Sequence, residues 1–410
     1  MSTARPSAAT SAFAASTRAL GIAPSASMAL EAKAKAMKAA GQAVISFGVG
    51  EPDFPTPEPI KAAAQRAMEA DVTHYTTVGG EPALRKAIAE RTAEISGVGF
   101  TETQVIATTG AKEALYLAFQ ATCDAGDEVI IPAPYWVSYA EQARLAGATP
   151  VVVQTDPADW KLTPELLRQH LTPRTKLLVL CTPSNPTGIV YSDAELRALA
   201  DVLQDTRVGV MVDEIYARIS HVPVGRWLRA APETEDRTII IDGVSKAYAM
   251  TGWRLGWMVG PEAIVKAAAA VQSHLTSHPS SITQRAALYA LQNDPAVEQA
   301  IEDMVRTFKQ RREVIVEGLS RIDGLVCPVP DGAFYVYPDV RGLYGRALGP
   351  NGRVVASSDA LAAYLLEEAL VSIVPGEAFG TPGFLRLSYA LALDDLREGV
   401  ARIQAALRTG

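Results

Sequence analysis

Lysine is the one side chain that condenses with an aldehyde to give an imine, and Lys246 lies in a stretch suited to that chemistry. It sits within Gly243 to Gly256, GVSKAYAMTGWRLG, just after the apolar run Thr238-Ile239-Ile240-Ile241, with Ser245 beside it and Arg254 eight positions on. A planar, always charged guanidinium and a hydroxyl suit the several acceptor oxygens of a phosphate. An imine-forming amine beside a phosphate grip suggests pyridoxal 5′-phosphate, bound covalently at Lys246. Taken alone, the pair also reads as a surface lysine and a solvated arginine at a strand end.

Other segments carry chemistry of the same kind. Thr109-Gly110-Ala111-Lys112-Glu113 falls at the end of a strand and the start of a helix, where backbone amides and the helix dipole form a phosphate cup. Lys112 either belongs to that cup or faces water. In VGVMVDEIY, Val208 to Tyr216, an aspartate ends a buried apolar strand and needs a positive partner. A protonated pyridine nitrogen would serve Asp213; the plainer alternative is an N-cap Asp followed by a core Tyr216. TPSNPTG, Thr182 to Gly188, pins Asn185 by turn chemistry at the C-terminal edge of a sheet, where open α/β sheets bind ligands. Trp136, in Pro134-Tyr135-Trp136, is an aromatic able to stack on a pyridine ring or to join the core. Phe384 to Tyr389, FLRLSY, reads as a strand whose Arg386 points away from Leu385 and Leu387 and must find an anion; a guanidinium is the natural grip for an α-carboxylate.

The elements that position these residues follow from periodicity. A helix over Met28 to Ala40 stops at Gly41, and Phe47 to Pro57 is a Gly- and Pro-rich loop. Helical patterns at Pro59 to Ala70 and Glu81 to Ser96 flank THYTTVGG, in which Tyr75 is a tyrosine in a polar loop. Strands are predicted at Val105 to Thr108, Glu128 to Pro132, Thr149 to Gln154, Lys176 to Leu180, Val208 to Val212, Thr238 to Ile241 and Gly256 to Val259. Helices at Lys112 to Cys123, Ser138 to Leu145 and Asp193 to Leu203 fill gaps between them, which implies an α/β fold with a mostly parallel sheet covered on both faces. Beyond Gly260 come a long helix from Ala296 to Arg321, strands near Leu325 to Pro328, Ala333 to Tyr337 and Phe384 to Ser388, and a helix near Asp359 to Ala369, a smaller α+β unit.

From about Pro24 to the C-terminus the chain resembles fold-type I, pyridoxal-phosphate-dependent aminotransferases of the aspartate aminotransferase family, in particular bacterial aspartate/prephenate aminotransferases. Gly243, Ser245, Lys246, Gly252, Arg254 and Gly256 match its lysine signature, and NPTG and RLSYA match further segments. The resemblance implies a seven-stranded large domain over residues 59–295, a small domain over 296–410 joined by an N-terminal segment at 26–58, and a flexible arm over 1–25. It implies a homodimer in which Tyr75 reaches the phosphate of the neighbouring subunit. Gly110, Ala111, Lys112, Ser245 and Arg254 would hold the cofactor, with Trp136 over its ring, Asp213 on its nitrogen, and Tyr216 and Asn185 on its phenolic oxygen. Arg386, Asn185, Trp136 and a backbone amide near Gly50 would meet the substrate.

The expected reaction moves an amino group from aspartate or glutamate to a 2-oxo acid such as 2-oxoglutarate in ping-pong fashion, with Lys246 as proton carrier. Two departures keep other donors open: Val271 to Pro279, VQSHLTSHP, lacks the arginine one branch uses for a side-chain carboxylate, and Ala23 precedes Pro24-Ser25 where the subgroup commonly has lysine. Ser25, Ser27, Lys112 and His278 are the groups able to compensate. The alternatives are neutral or aromatic donors, prephenate or arogenate chemistry, and a carbon–sulfur lyase. A regulator's sensing domain would carry a DNA-binding segment, for which the N-terminal arm is short.

The composition excludes other classes. Over 410 residues the chain is 48% hydrophobic and 20% charged, with a net charge of −7 and a pI near 5.4, so nothing draws it to nucleic acid or an anionic membrane. Cys123, Cys181 and Cys327 form neither a disulfide framework nor a metal spacing, which fits reduced core residues of a cytoplasmic protein, and no apolar run approaches a membrane span. Arg5, Arg18 and the absence of acids before Glu31 give the arm a superficial likeness to a transit peptide.

Overall fold

The computed structural model describes residues 15–22, 26–349 and 351–408. Most of the arm expected over residues 1–25 therefore lies outside the described residues, as do Ala23, Pro24 and Ser25 and the side chain of Ser27. Within it, Thr17–Leu20 makes one helical turn, capped where Ala19 N donates to Ser16 Oγ at 3.2 Å.

Seven apolar runs assemble into one sheet: β1 (Val105–Thr108), β2 (Glu128–Ala133), β3 (Thr149–Gln154), β4 (Thr175–Cys181), β5 (Gly209–Asp213), β6 (Thr238–Gly243) and β7 (Gly256–Val259). Their order is β1-β7-β6-β5-β4-β2-β3. Strands buried on both faces must be apolar on both sides, and alternate residues do go to different cores. Val210, Val212 and Ile240 join the cluster on one face. Met211, Ile239 and Ile241 join the cluster on the other, beneath the helix Ala111–Thr122.

Strand β7 is the exception to parallel pairing, since it runs antiparallel to both β6 and β1. A parallel return needs a helical crossover, whereas the connection from β6 holds only a 3₁₀ turn, Thr251–Trp253, and doubles back. The consequence sets up the site. The C-terminal ends of β1, β2, β4, β5 and β6 and the start of β7 all reach the same edge of the sheet.

The remaining residues pack around a second core containing Phe47, Phe308, Phe334, Tyr335 and Tyr389. It is built from the 26-residue helix Pro295–Ser320, the helices Ser358–Glu368 and Leu393–Ala406, and a three-stranded antiparallel sheet of Val374–Pro375, Leu385–Ser388 and Tyr335–Val336. The N-terminal segment joins this unit, as Ile45–Ser46 pairs in parallel with Val371–Ser372. The strand expected at Leu325 to Pro328 is reduced to a single bridge between Val326 and Asp339. Pro328 and Pro330 have no amide to extend it. The strand expected from Ala333 begins only at Tyr335, because Ala333 adopts φ 55°. Among the described residues no helix is long and apolar enough to cross a membrane, and no cluster of His, Cys, Asp and Glu could hold a metal ion.

Candidate active site

The sheet edge opens into a cleft whose walls include Lys112, Trp136, Asn185, Asp213, Tyr216, Ser245, Lys246, Arg254 and Arg386. Each arrives from a strand end. Trp136 follows β2, Asn185 follows β4, Asp213 closes β5, Lys246 follows β6 and Arg254 precedes β7, while Arg386 comes from the second core on Leu385–Ser388.

Lys246 is deeply buried, and its Nζ donates to the Gly50 carbonyl. Burial lowers its amine to about 8, opposed by the attraction of Glu51 and reinforced by the charges of Arg386 and Arg254. An amine so placed is a usable nucleophile and proton carrier near neutral pH. Asp213 is likewise buried, and burial raises its carboxyl to about 6, against the hydrogen bonds from Tyr139 Oη at 2.6 Å and Ile215 N at 3.1 Å.

Arg254 lies against the turn before the helix Ala111–Thr122: a Cβ added to Gly110 would fall 2.5 Å from the guanidinium Nη2. Gly110 also holds φ 84°, which glycine adopts freely. Arg254 Nη1 donates to Thr251 O at 2.9 Å. A guanidinium, Ser245 and the first amides of a helix, which lack partners within it, form a donor set that fits a phosphate. Lys112 lines the same cleft while remaining exposed to solvent, its Nζ lying 4.9 Å from the Trp136 ring centroid. Burial and the Arg254 charge lower its amine.

Arg386, only 6% exposed, donates to Asn185 Oδ1 at 3.1 Å and Gly48 O at 2.7 Å, with the Tyr335 ring 4.6 Å beneath it. Its Nε is buried and unpartnered. Arg386 lines the cleft as well, and a guanidinium there has the donor geometry to take a carboxylate.

Residues 42–403 match the family described as aminotransferase class I and II. The chain belongs to that family. Among similar members of this aminotransferase family, an aspartate aminotransferase of Streptomyces avermitilis is 46% identical over 94% of each chain. An aspartate/prephenate aminotransferase of Cereibacter sphaeroides is 45% identical over 93% of this chain and 96% of its own. Among solved structures, the Rhizobium meliloti aspartate aminotransferase superposes with a TM-score of 0.92 at 41% identity, covering 96% of this chain and 98% of the other. The Thermus thermophilus aspartate aminotransferase with maleate gives 0.90 at 38% identity, covering 96% and 100%.

One expected site residue of this aminotransferase stands apart. Tyr75 is 92% exposed, edge-on to His278 at 5.5 Å, and borders a separate shallow groove with Thr76, Thr77 and Arg285. Gly50 does line the cleft, through the carbonyl that accepts from Lys246. Sequence reasoning missed Tyr139, which holds Asp213, and Tyr335, which hydrogen-bonds Tyr216 at 2.9 Å. Tyr139 lies one helical turn past Trp136, a spacing that could have marked it; Tyr335 meets its partner only through long-range packing. Cys181 packs against the core on one face of the sheet and also lines the cleft.

Proposed function

We propose that the chain is a pyridoxal-5′-phosphate-dependent transaminase that moves the amino group of aspartate or glutamate to a 2-oxo acid such as 2-oxoglutarate. The observation that carries this reading is the convergence of Lys246, Asp213, Arg254 and Arg386 on one cleft. The names of its relatives support the choice of aspartate as donor. When bound, the cofactor supplies an aldehyde and a ring that takes up the electron pair left as a Cα–H bond breaks. Gly110, Ala111, Lys112, Ser245 and Arg254 would hold its phosphate, Trp136 would stack on its ring, and Tyr216 and Asn185 would meet its phenolic oxygen. Asp213, as a carboxylate, would hold the proton on the ring nitrogen.

Arg386 grips the donor's α-carboxylate, with Asn185 and the strap at Gly50 beside it. Lys246 would anchor the cofactor, take the proton from the donor's Cα and pass it to the carbon that carried the aldehyde, and make the reverse transfer in the second half of the cycle. The departing 2-oxo acid leaves before the second enters, which gives ping-pong kinetics. Lys112, a cation already turned into the cleft, is placed to meet a side-chain carboxylate in the absence of an arginine in Val271 to Pro279.

The same reading divides the chain into a large unit, 59–295, and a small one, 296–410 with 26–58, in a cytoplasmic homodimer whose partner receives Tyr75. One experiment addresses both sites and assembly. Assayed with L-aspartate and 2-oxoglutarate, Lys246→Ala should lose about 10³-fold or more in rate. Subunit exchange with Tyr75→Ala, itself weakened at limiting cofactor, should restore up to about a quarter of wild-type activity, because each hybrid dimer regains one whole site. Wild-type rates for Lys246→Ala would refute the catalytic assignment; no recovery in the mixture would refute the shared site.

A further inference from the structure

Arg311 is a charge in an unexpected place. It projects from the helix Pro295–Ser320 toward the second core, its side chain 9% exposed, and makes a two-pronged pair with Asp53: Nη1 to Oδ1 at 2.7 Å and Nη2 to Oδ2 at 2.9 Å. The guanidinium also lies over the rings of Phe54, at 5.2 Å, and Phe308, at 5.9 Å. The pair is buried on the Arg311 side alone, the Asp53 side chain being 29% exposed, and an apolar residue of similar volume would fill the Arg311 site as well or better. Its use is to be sought in what Asp53 holds.

Asp53 ends a strap that touches two charged groups of the cleft, Lys246 and Arg386. At its start, Phe47 is fixed by backbone bonds, N to Ser372 O at 2.8 Å and O from Ser388 N at 2.7 Å. Gly48 O then accepts from Arg386, Gly50 O accepts from Lys246, and Glu51 Oε2 accepts from Thr251 Oγ1 at 2.6 Å. Beyond Asp53 the next anchor is Thr56, whose Oγ1 donates to Ala249 O at 2.8 Å and accepts from Trp253 Nε1 at 3.0 Å. Without the Arg311 pair, the stretch between Phe47 and Thr56, which contains two glycines, would keep only its hydrogen bonds to Arg386, Lys246 and Thr251.

We propose that Arg311, acting through Asp53, is a positioning residue for the reaction: it fixes the strap that lines the cleft at Gly48 and Gly50 and keeps Lys246 and Arg386 enclosed. Donor binding then requires no ordering of this segment, so the pair acts on substrate affinity more than on the chemical step. Enclosure also governs Lys246. The groups facing it are Glu51 on the strap, Asp213 at the end of β5, Arg254 before β7 and Arg386 from the second core, with the Tyr216 and Phe334 rings about 6 Å away. Among these influences burial is the largest, so loosening the strap must raise the amine's titration midpoint. Removing the Glu51 charge with the strap in place must lower it.

The test uses Asp53→Ala/Arg311→Met, which leaves neither charge orphaned, with Arg311→Lys as a milder variant should the double one fold poorly, and Glu51→Gln. Hydrogen exchange of residues 47–57, and the pH dependence of Lys246 acetylation read by mass spectrometry on the cofactor-free full chain, need neither cofactor nor turnover. Donor KM and kcat are read on the loaded enzyme and rest on the aminotransferase reading; if that reading fails, wild type does not turn over and the other two measurements still decide. In the double variant, exchange in 47–57 should rise, the Lys246 midpoint should move up, and the donor KM should rise about tenfold with kcat within about threefold. Arg311→Lys should move each in the same direction by less, and Glu51→Gln should move the midpoint down. A purely structural pair would lower the melting temperature and leave exchange in 47–57 and the Lys246 midpoint where they are in wild type; that outcome overturns the proposal.

Discussion

Asp213 sits buried at the end of β5 with its carboxyl raised to about 6 from an ordinary 3.8. Between those values the folded chain holds a proton that the unfolded chain has released, so stability falls as pH rises through this window. Above about 6 the cost is complete, on the order of 3 kcal/mol at 1.36 kcal/mol per unit. That cost is what the positive charge of the proposed cofactor's ring nitrogen would offset. Asp213→Asn keeps the shape and can keep the bonds to Tyr139 and Ile215. In the cofactor-free chain it should therefore raise unfolding free energy at pH 8 by about 1–3 kcal/mol, with most of the gain gone by about pH 4.5, while abolishing transamination. Urea unfolding at both pH values checks this, and a variant less stable than wild type at pH 8 would contradict it. The need of this aspartate for a cation was legible in VGVMVDEIY, since a charge ending an apolar strand has few explanations. The partner Tyr139 was not assigned, because the aromatic run Pro134 to Tyr139 does not say which ring turns to which neighbour.

At the scale of elements, the reversed strand β7 does most to make the site. By doubling back it brings Arg254 to the edge where Gly110 begins a helix, and the contact is tight: a Cβ on Gly256 would lie 2.2 Å from Ala111 N. Gly256→Ala must push the start of β7 from that turn. It should cost about 1–3 kcal/mol, and the disturbed phosphate cup should weaken cofactor binding about tenfold or more. Gly99→Ala, where nothing lies within 4 Å, is the control. Thermal melts with and without cofactor read both effects, and a Gly256→Ala protein that melts and binds as wild type does would contradict the account. All seven strands were readable as apolar runs, three of them to the residue, because a sheet buried on both faces leaves a plain signal. The reversal of β7 was not readable, since direction depends on what a connection contains and not on the strand. The two-residue pairing of Ile45–Ser46 with Val371–Ser372 was hidden for a different reason: segments that short carry no periodicity.

On the scale of the whole molecule, the sheet and the second core face one cleft, and each supplies part of it. The sheet edge contributes Lys246, Asp213 and Arg254, and the second core contributes Arg386 and Tyr335. An arginine 140 positions from the lysine comes to share its cleft only because Leu385–Ser388 is held against Tyr335–Val336 and the strap beginning at Phe47. The exposed Tyr75 and its groove belong to this scale as well, since the proposed homodimer would cover them. The central claim is that Lys246 holds pyridoxal phosphate and passes an amino group through it. It is tested most directly by the visible absorption spectrum of the purified protein as L-aspartate, L-glutamate, L-alanine and L-phenylalanine are added in turn. The account predicts a band of the lysine-bound pyridoxal form that gives way to the pyridoxamine form with aspartate or glutamate and returns with 2-oxoglutarate. A protein that shows no such band after incubation with pyridoxal phosphate, or a band that no amino acid converts, would contradict it.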